Sequence, residues 1–113
     1  MSQKQQQPKA PRHLKPATKR WWADVVDRWA LEGHHVRLLT AAAESWDWYQ
    51  QARAQIDADG LTTGTRDGGV KAHPALGVER DSRLAFARLL RELDLDLEVP
   101  ADTKRIPALR SIG

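Results

Sequence analysis

Cysteine is absent from the 113 residues. Disulfides are therefore excluded as staples for a small chain, which fits a reducing compartment. The same absence removes the thiolates on which structural zinc sites draw. Methionine, tyrosine and phenylalanine occur once each, so aromatic packing falls to five tryptophans. No run of 18 apolar residues occurs, and no helical membrane span is expected. An apolar leader near the N-terminus is missing as well. One small domain is what this length accommodates. Its core is expected to be thin, and with disulfides and zinc set aside, oligomerisation is the remaining support.

Acid is missing from the N-terminal segment that ends at Arg20, which holds Lys4, Lys9, Arg12, Lys15, Lys19 and Arg20. Those six cations give the segment +6 against +3 for the whole chain, so the rest of the chain carries −3. A basic arm on a mildly acidic body points to an anionic partner, nucleic acid first. The competing reading is a solubilising tail. Gln and Pro between Met1 and Pro11 favour disorder there.

What is present is helical periodicity. In "PATKRWWADVVDRWALEG", Trp22, Val25, Val26 and Trp29 recur on one helical face. Pro16 suits the first helical position, and Gly33 is read as the left-handed stop of this helix. A second helix follows in "HHVRLLTAAAESWDWYQQARAQIDADG", with Leu39, Ala42, Trp46, Tyr49 and Ile56 on an alternating spacing broken by Arg53. That seam favours an antiparallel helical neighbour. Asp67-Gly68-Gly69 signals the turn of a small β-hairpin from about 61 to 72. An isolated hairpin is marginal, so it is expected to pack on the body or on a neighbouring subunit. A third helix opens at His73-Pro74, with His73 as a cap, and presents Phe86, Leu89, Leu90 and Leu93 on one face. Arg80, Arg83, Arg88 and Arg91 interleave there with Glu79, Asp81 and Glu92. The last stretch, "VPADTKRIPALRSIG", has two prolines and no helical period. The organisation expected is a flexible basic arm over 1–14, a helical core and oligomerisation domain over 15–98, and an extended tail over 99–113.

Catalytic chemistry is hard to find. His34 and His35 are adjacent, so their rings are expected to point apart rather than share a metal as an i, i+4 pair does. His13 and His73 lie in segments with no matching carboxylate spacing. A histidine-metal nuclease is weaker than ordinary histidine occurrence. No serine or threonine sits in a nucleophile-elbow context, "TTGTRDGG" lacks a Walker ending, and the C-terminal aspartates lack calcium-loop spacing. The expectation is no enzyme, no cofactor and no metal. Among the tryptophans, Trp22, Trp29 and Trp46 fit core faces. Trp21 and Trp48 fall off those stripes, at a core edge or a subunit interface, where Trp is enriched. Trp48 in particular is expected at an oligomer contact.

The order of features resembles the short helical branch of the phage terminase small-subunit family. The resemblance rests on Leu39-Thr40-Ala41-Ala42 followed by Trp46-Asp47, the glycine ending helix 2, and His73-Pro74 followed by Glu79-Arg80-Asp81. It runs from near "PRHLKPATKRWWADVV" to about Pro100. The tail "KRIPALRSIG" is similar to the family's basic, proline-containing tails. Lys15 departs from the pattern, since relatives commonly place a capping Ser, Thr or Asp there. The resemblance implies a mainly α subunit of three helices, with a hairpin between helices 2 and 3, assembling into a homo-oligomeric ring. It implies a non-enzymatic protein of the host cytoplasm that recognises viral double-stranded DNA and regulates the large terminase subunit, which carries the ATPase and nuclease. Under it, Lys9, Arg12, Lys15, Lys19 and Arg20 are DNA-binding candidates. Arg80 and Arg83 join Trp48 as oligomerisation candidates, with plain surface solvation as the alternative for the arginines. Lys104, Arg105 and Arg110 are candidates for docking the large subunit. Two other classes stay open: a small DNA-binding transcription regulator using helices 1 and 2 as a helix-turn-helix, and a virion interaction protein without DNA affinity. A long second helix and an acidic residue early in helix 1 fit the regulator poorly.

Overall fold

The computed structural model describes residues 7–95 and Pro100. Its elements, in chain order, are α1 (Pro16–Arg28), α2 (Gly33–Asp59), β1 (Thr62–Gly64), β2 (Val70–Ala72) and α3 (Ala75–Leu93). Three helices with one small antiparallel hairpin between the second and third is the architecture expected from the sequence.

α2 is the spine. Its 27 residues correspond to a length of about 40 Å at 1.5 Å per residue. α3 returns antiparallel along it. At the hairpin end Ala52 and Ile56 meet Ala75 in a small cluster of their own. Further along, the Trp46 and Phe86 rings lie 4.9 Å apart. α1 packs over the N-terminal half of α2, where the Trp22 indole N–H donates to Thr40 Oγ1 at 3.1 Å. The Thr40 hydroxyl in turn donates to the Val36 carbonyl. A buried indole N–H needs such an acceptor, and Trp22 is 1% exposed. The main core joins Leu14, Trp21, Trp22, Val25, Val26, Leu39, Phe86 and Leu93 with Ala42 and Ala43.

Three local expectations need correction. α1 does not run on to Gly33. It ends at Arg28, and Trp29 is extended (φ −121°, ψ 142°). Gly33 opens α2 instead of closing α1. The reason lies in Glu32, held extended (φ −88°, ψ 172°), with its N–H donating to His35 Nδ1 at 3.2 Å. That bond satisfies a donor at a helix start and fixes the boundary there. Trp21 is no edge residue either: it is buried, with its ring 6.1 Å from Phe86. α1 touches α3 as well as α2, so its buried face is wider than one stripe.

The hairpin pairs Thr62 with Ala72, Thr63 with Lys71 and Gly64 with Val70. Gly68 takes a positive φ of 89° at its turn, a conformation that costs a glycine little. Its strands are largely exposed, Val70 at 73%.

Candidate functional site

The basic segment is tied to the body at its inner end. Leu14 is 3% exposed and belongs to the main core. On either side of it, two α2 carboxylates take hold. His13 Nε2 lies 2.8 Å from Glu44 Oε2. The Lys15 N–H donates to Asp47 Oδ2 at 2.8 Å, and the Thr18 hydroxyl donates to Asp47 Oδ1 at 2.6 Å. Asp47 thus does from α2 what a capping Ser, Thr or Asp at position 15 does locally. It satisfies a donor at the helix start and puts negative charge at the positive end of α1. Lys15 has no capping side chain of its own, and the structure resolves that departure with a partner from the middle of the next helix.

With its backbone held this way, Lys15 leaves its ammonium group outside. Lys9, Arg12, Lys15 and Arg20 are exposed and Lys19 is half-buried. None of the five has an ion-pair partner among the described residues. Other cations do: Arg28 with Asp24, Arg53 with Asp57, Arg80 with Asp81 and Arg83 with Glu79. Lys15 and Lys19 stand one turn apart at the start of α1, joined by the Lys19 N–H to Lys15 carbonyl bond. Uncompensated like charge at one end of a molecule raises local potential and attracts polyanions.

Beside this end lies a groove of about 570 Å³ whose walls include His13, Lys15, Glu44, Asp47 and Trp48. A second, of about 180 Å³, opens on the other side of Trp48 toward Ala75 and Val78. Trp48 itself is 57% exposed. The other sequence candidates for assembly, Arg80 and Arg83, form ion pairs within α3. Lys104, Arg105 and Arg110 lie outside the described residues.

The histidines are occupied in ways that spacing did not reveal. His73 is buried, accepts the Ala75 N–H at Nδ1 (2.9 Å) and therefore donates from Nε2 to Asp59 Oδ2 (2.8 Å). Its own N–H donates to the Leu61 carbonyl. One residue thereby joins the end of α2, the base of the hairpin and the start of α3. His34 and His35 do not point apart as expected. Their ring centroids are 4.1 Å apart, and with Glu32 they bring three ligand-type atoms within 4.8 Å of one another. The contact arises because His35 turns back to cap Glu32. That bond occupies its Nδ1, and the positive end of a long helix is a poor place for a cation.

Among the described residues, no helix is long and apolar enough to cross a membrane. A family model described as "Phage terminase, small subunit" matches residues 18–108. No curated protein and no solved structure matches the chain.

Proposed function

The chain belongs to the phage terminase small-subunit family, and from that premise we propose that it is the non-catalytic, oligomeric DNA-binding component of a genome-packaging machine. It binds viral double-stranded DNA through the arm and regulates the large terminase subunit from the host cytoplasm. The observation that carries this reading is the set of five cations from Lys9 to Arg20 with no ion-pair partner among the described residues, held on a body of opposite net charge. Phosphate contacts of this kind position a protein on a duplex without reading its sequence. A closed ring multiplies weak arms into useful avidity. Trp48, Arg80 and Arg83 serve the assembly, and the tail from 101 to 113, through Lys104, Arg105 and Arg110, docks the large subunit.

Native mass spectrometry of the full chain, with and without duplex DNA, tests the reading. An oligomer that takes up DNA is expected. A dimer that binds DNA favours a transcription regulator, and an assembly with no DNA affinity favours a virion interaction protein. The tail has its own test. Deleting 101–113 should leave helicity and assembly intact while weakening stimulation of the large-subunit ATPase. Stimulation equal to that of the intact chain rules the docking role out.

A further inference from the structure

We propose that Glu44 guards the basic arm by standing in for a phosphate at His13, and that duplex DNA displaces it. The proposal rests on the DNA reading above and concerns how that same site is regulated.

His13 lies inside the acid-free run, between Arg12 and Lys15. The cations around it have no ion-pair partner among the described residues, whereas His13 has one. Its Nε2 lies 2.8 Å from Glu44 Oε2. An ionised carboxylate only accepts, so Nε2 is the donor. A phosphate oxygen is an anionic acceptor of the same kind. A duplex that reaches Arg12 and Lys15 carries its phosphates past this donor.

The arm does not need Glu44 to stay in place. Leu14 is buried in the main core, and Asp47 binds the Lys15 N–H and the Thr18 hydroxyl. The backbone next to His13 is therefore fixed, and the ring stays presented when the carboxylate leaves. The two α2 acids differ in freedom. Asp47 has both oxygens engaged, one of them with the buried Thr18. Glu44 meets His13 in the open, the two side chains being 42% and 62% exposed. An exposed pair of this kind adds little stability, so separating it is easy and a phosphate has access to it. Both side chains border the groove of about 570 Å³, with Lys15 in the same wall. Glu44 has room there to turn away. While it stays, its charge beside Lys15 lowers the potential that draws polyanions. A lone anion gains one contact by displacing it. A duplex brings several phosphates at once, and the cations on either side of His13 offset the displacement.

The test is a double-mutant cycle on full-length chains, read by fluorescence anisotropy on duplex DNA, with circular dichroism checking helicity. Glu44→Gln is expected to tighten binding about threefold to fivefold, toward the upper end of what one exposed ion pair is worth. Asp57→Asn is the charge control. It frees Arg53 from its pair about 20 Å further along α2, and screening over that distance should keep affinity within about 1.5-fold of wild type. In a His13→Ala background the gain from Glu44→Gln should shrink, because no donor is left to compete for. A guard that never moves predicts the opposite, since Glu44 without His13 repels DNA more strongly. In the wild-type chain, added duplex should shift the His13 ring resonances and leave those of the buried His73 unmoved. An unchanged His13 ring, no gain from Glu44→Gln, an equal gain from Asp57→Asn, or a gain undiminished without His13 overturns the guard and leaves the DNA reading standing. A chain that binds no duplex in any of these forms overturns both.

Discussion

Asp47 concentrates what a single side chain does in this fold. Its two oxygens hold the backbone N–H at the start of α1 and the hydroxyl of Thr18, which is 2% exposed. Replacing it with Ala removes a cap and leaves a buried hydroxyl unpaired. Losing a cap costs about 1 kcal/mol, and an unsatisfied buried polar group costs about 1–3 kcal/mol. A loss of about 2 kcal/mol is therefore expected for Asp47→Ala in urea unfolding followed by tryptophan fluorescence. Asp47→Asn keeps one acceptor oxygen and should lose less. Equal stability of wild type and Asp47→Ala refutes the capping role. None of this was legible in the sequence. The Trp46-Asp47 pair carries part of the family resemblance, but the partners of Asp47 lie on the preceding helix, and local spacing carries no trace of them. His13 with Glu44 and His73 with Asp59 are hidden in the same way. Trp22, by contrast, was legible, because its burial follows from a single helical stripe.

The hairpin is an element that a few residues specify and little supports. Gly68 supplies the positive φ. The Asp67 carboxylate accepts from the Thr65 hydroxyl and the Gly69 N–H. These bonds, the Thr65 hydroxyl first, hold the Asp67 carboxyl below its ordinary value. The sign follows from linkage: a carboxylate favoured in the folded hairpin adds stability that is complete above its open-chain pKa. That stability is lost as pH falls through the depressed one. On acidification, the Thr65 and Gly69 amide resonances should move toward open-chain positions before the Trp22 indole resonance changes. Resonances that move together, or an Asp67 that titrates at the ordinary carboxylate value, contradict this account. The turn was legible because Asp-Gly-Gly is a local signal. The α1–α2 boundary was not. Gly33 carries the composition of a helix stop, and only the Glu32–His35 bond makes it a helix start.

At the scale of the whole molecule the decisive quantity is charge separation. It is visible in the sequence directly, because an acid-free segment from Met1 to Arg20 needs no structure to be seen. The folded chain adds where that charge is anchored. Leu14 is buried while Arg12, Lys15 and Arg20 remain outside. Neutralising a phosphate releases counterions, so each contact adds about −0.9 to the slope of log affinity against log salt. Changing Arg12, Lys15, Lys19 and Arg20 together to Ala should weaken binding to all duplexes alike and flatten that slope by up to about 3.6 per chain if all four touch phosphate. The number of subunits is expected to stay unchanged, which native mass spectrometry checks, since Arg12, Lys19 and Arg20 lie outside the groove beside Trp48 and only Lys15 borders it. The Asp47 cap survives too, because it binds the backbone N–H of residue 15 and not its side chain. Fluorescence anisotropy on two unrelated duplexes at several salt concentrations reads both quantities. Wild-type affinity and slope in the quadruple variant would reduce the arm to a solubilising tail. The next cations to test are then Arg66 and Lys71, exposed on the hairpin, and Arg91 on the outer side of α3, which has no ion-pair partner among the described residues. A loss confined to one duplex would instead mean that the arm reads base edges or DNA shape.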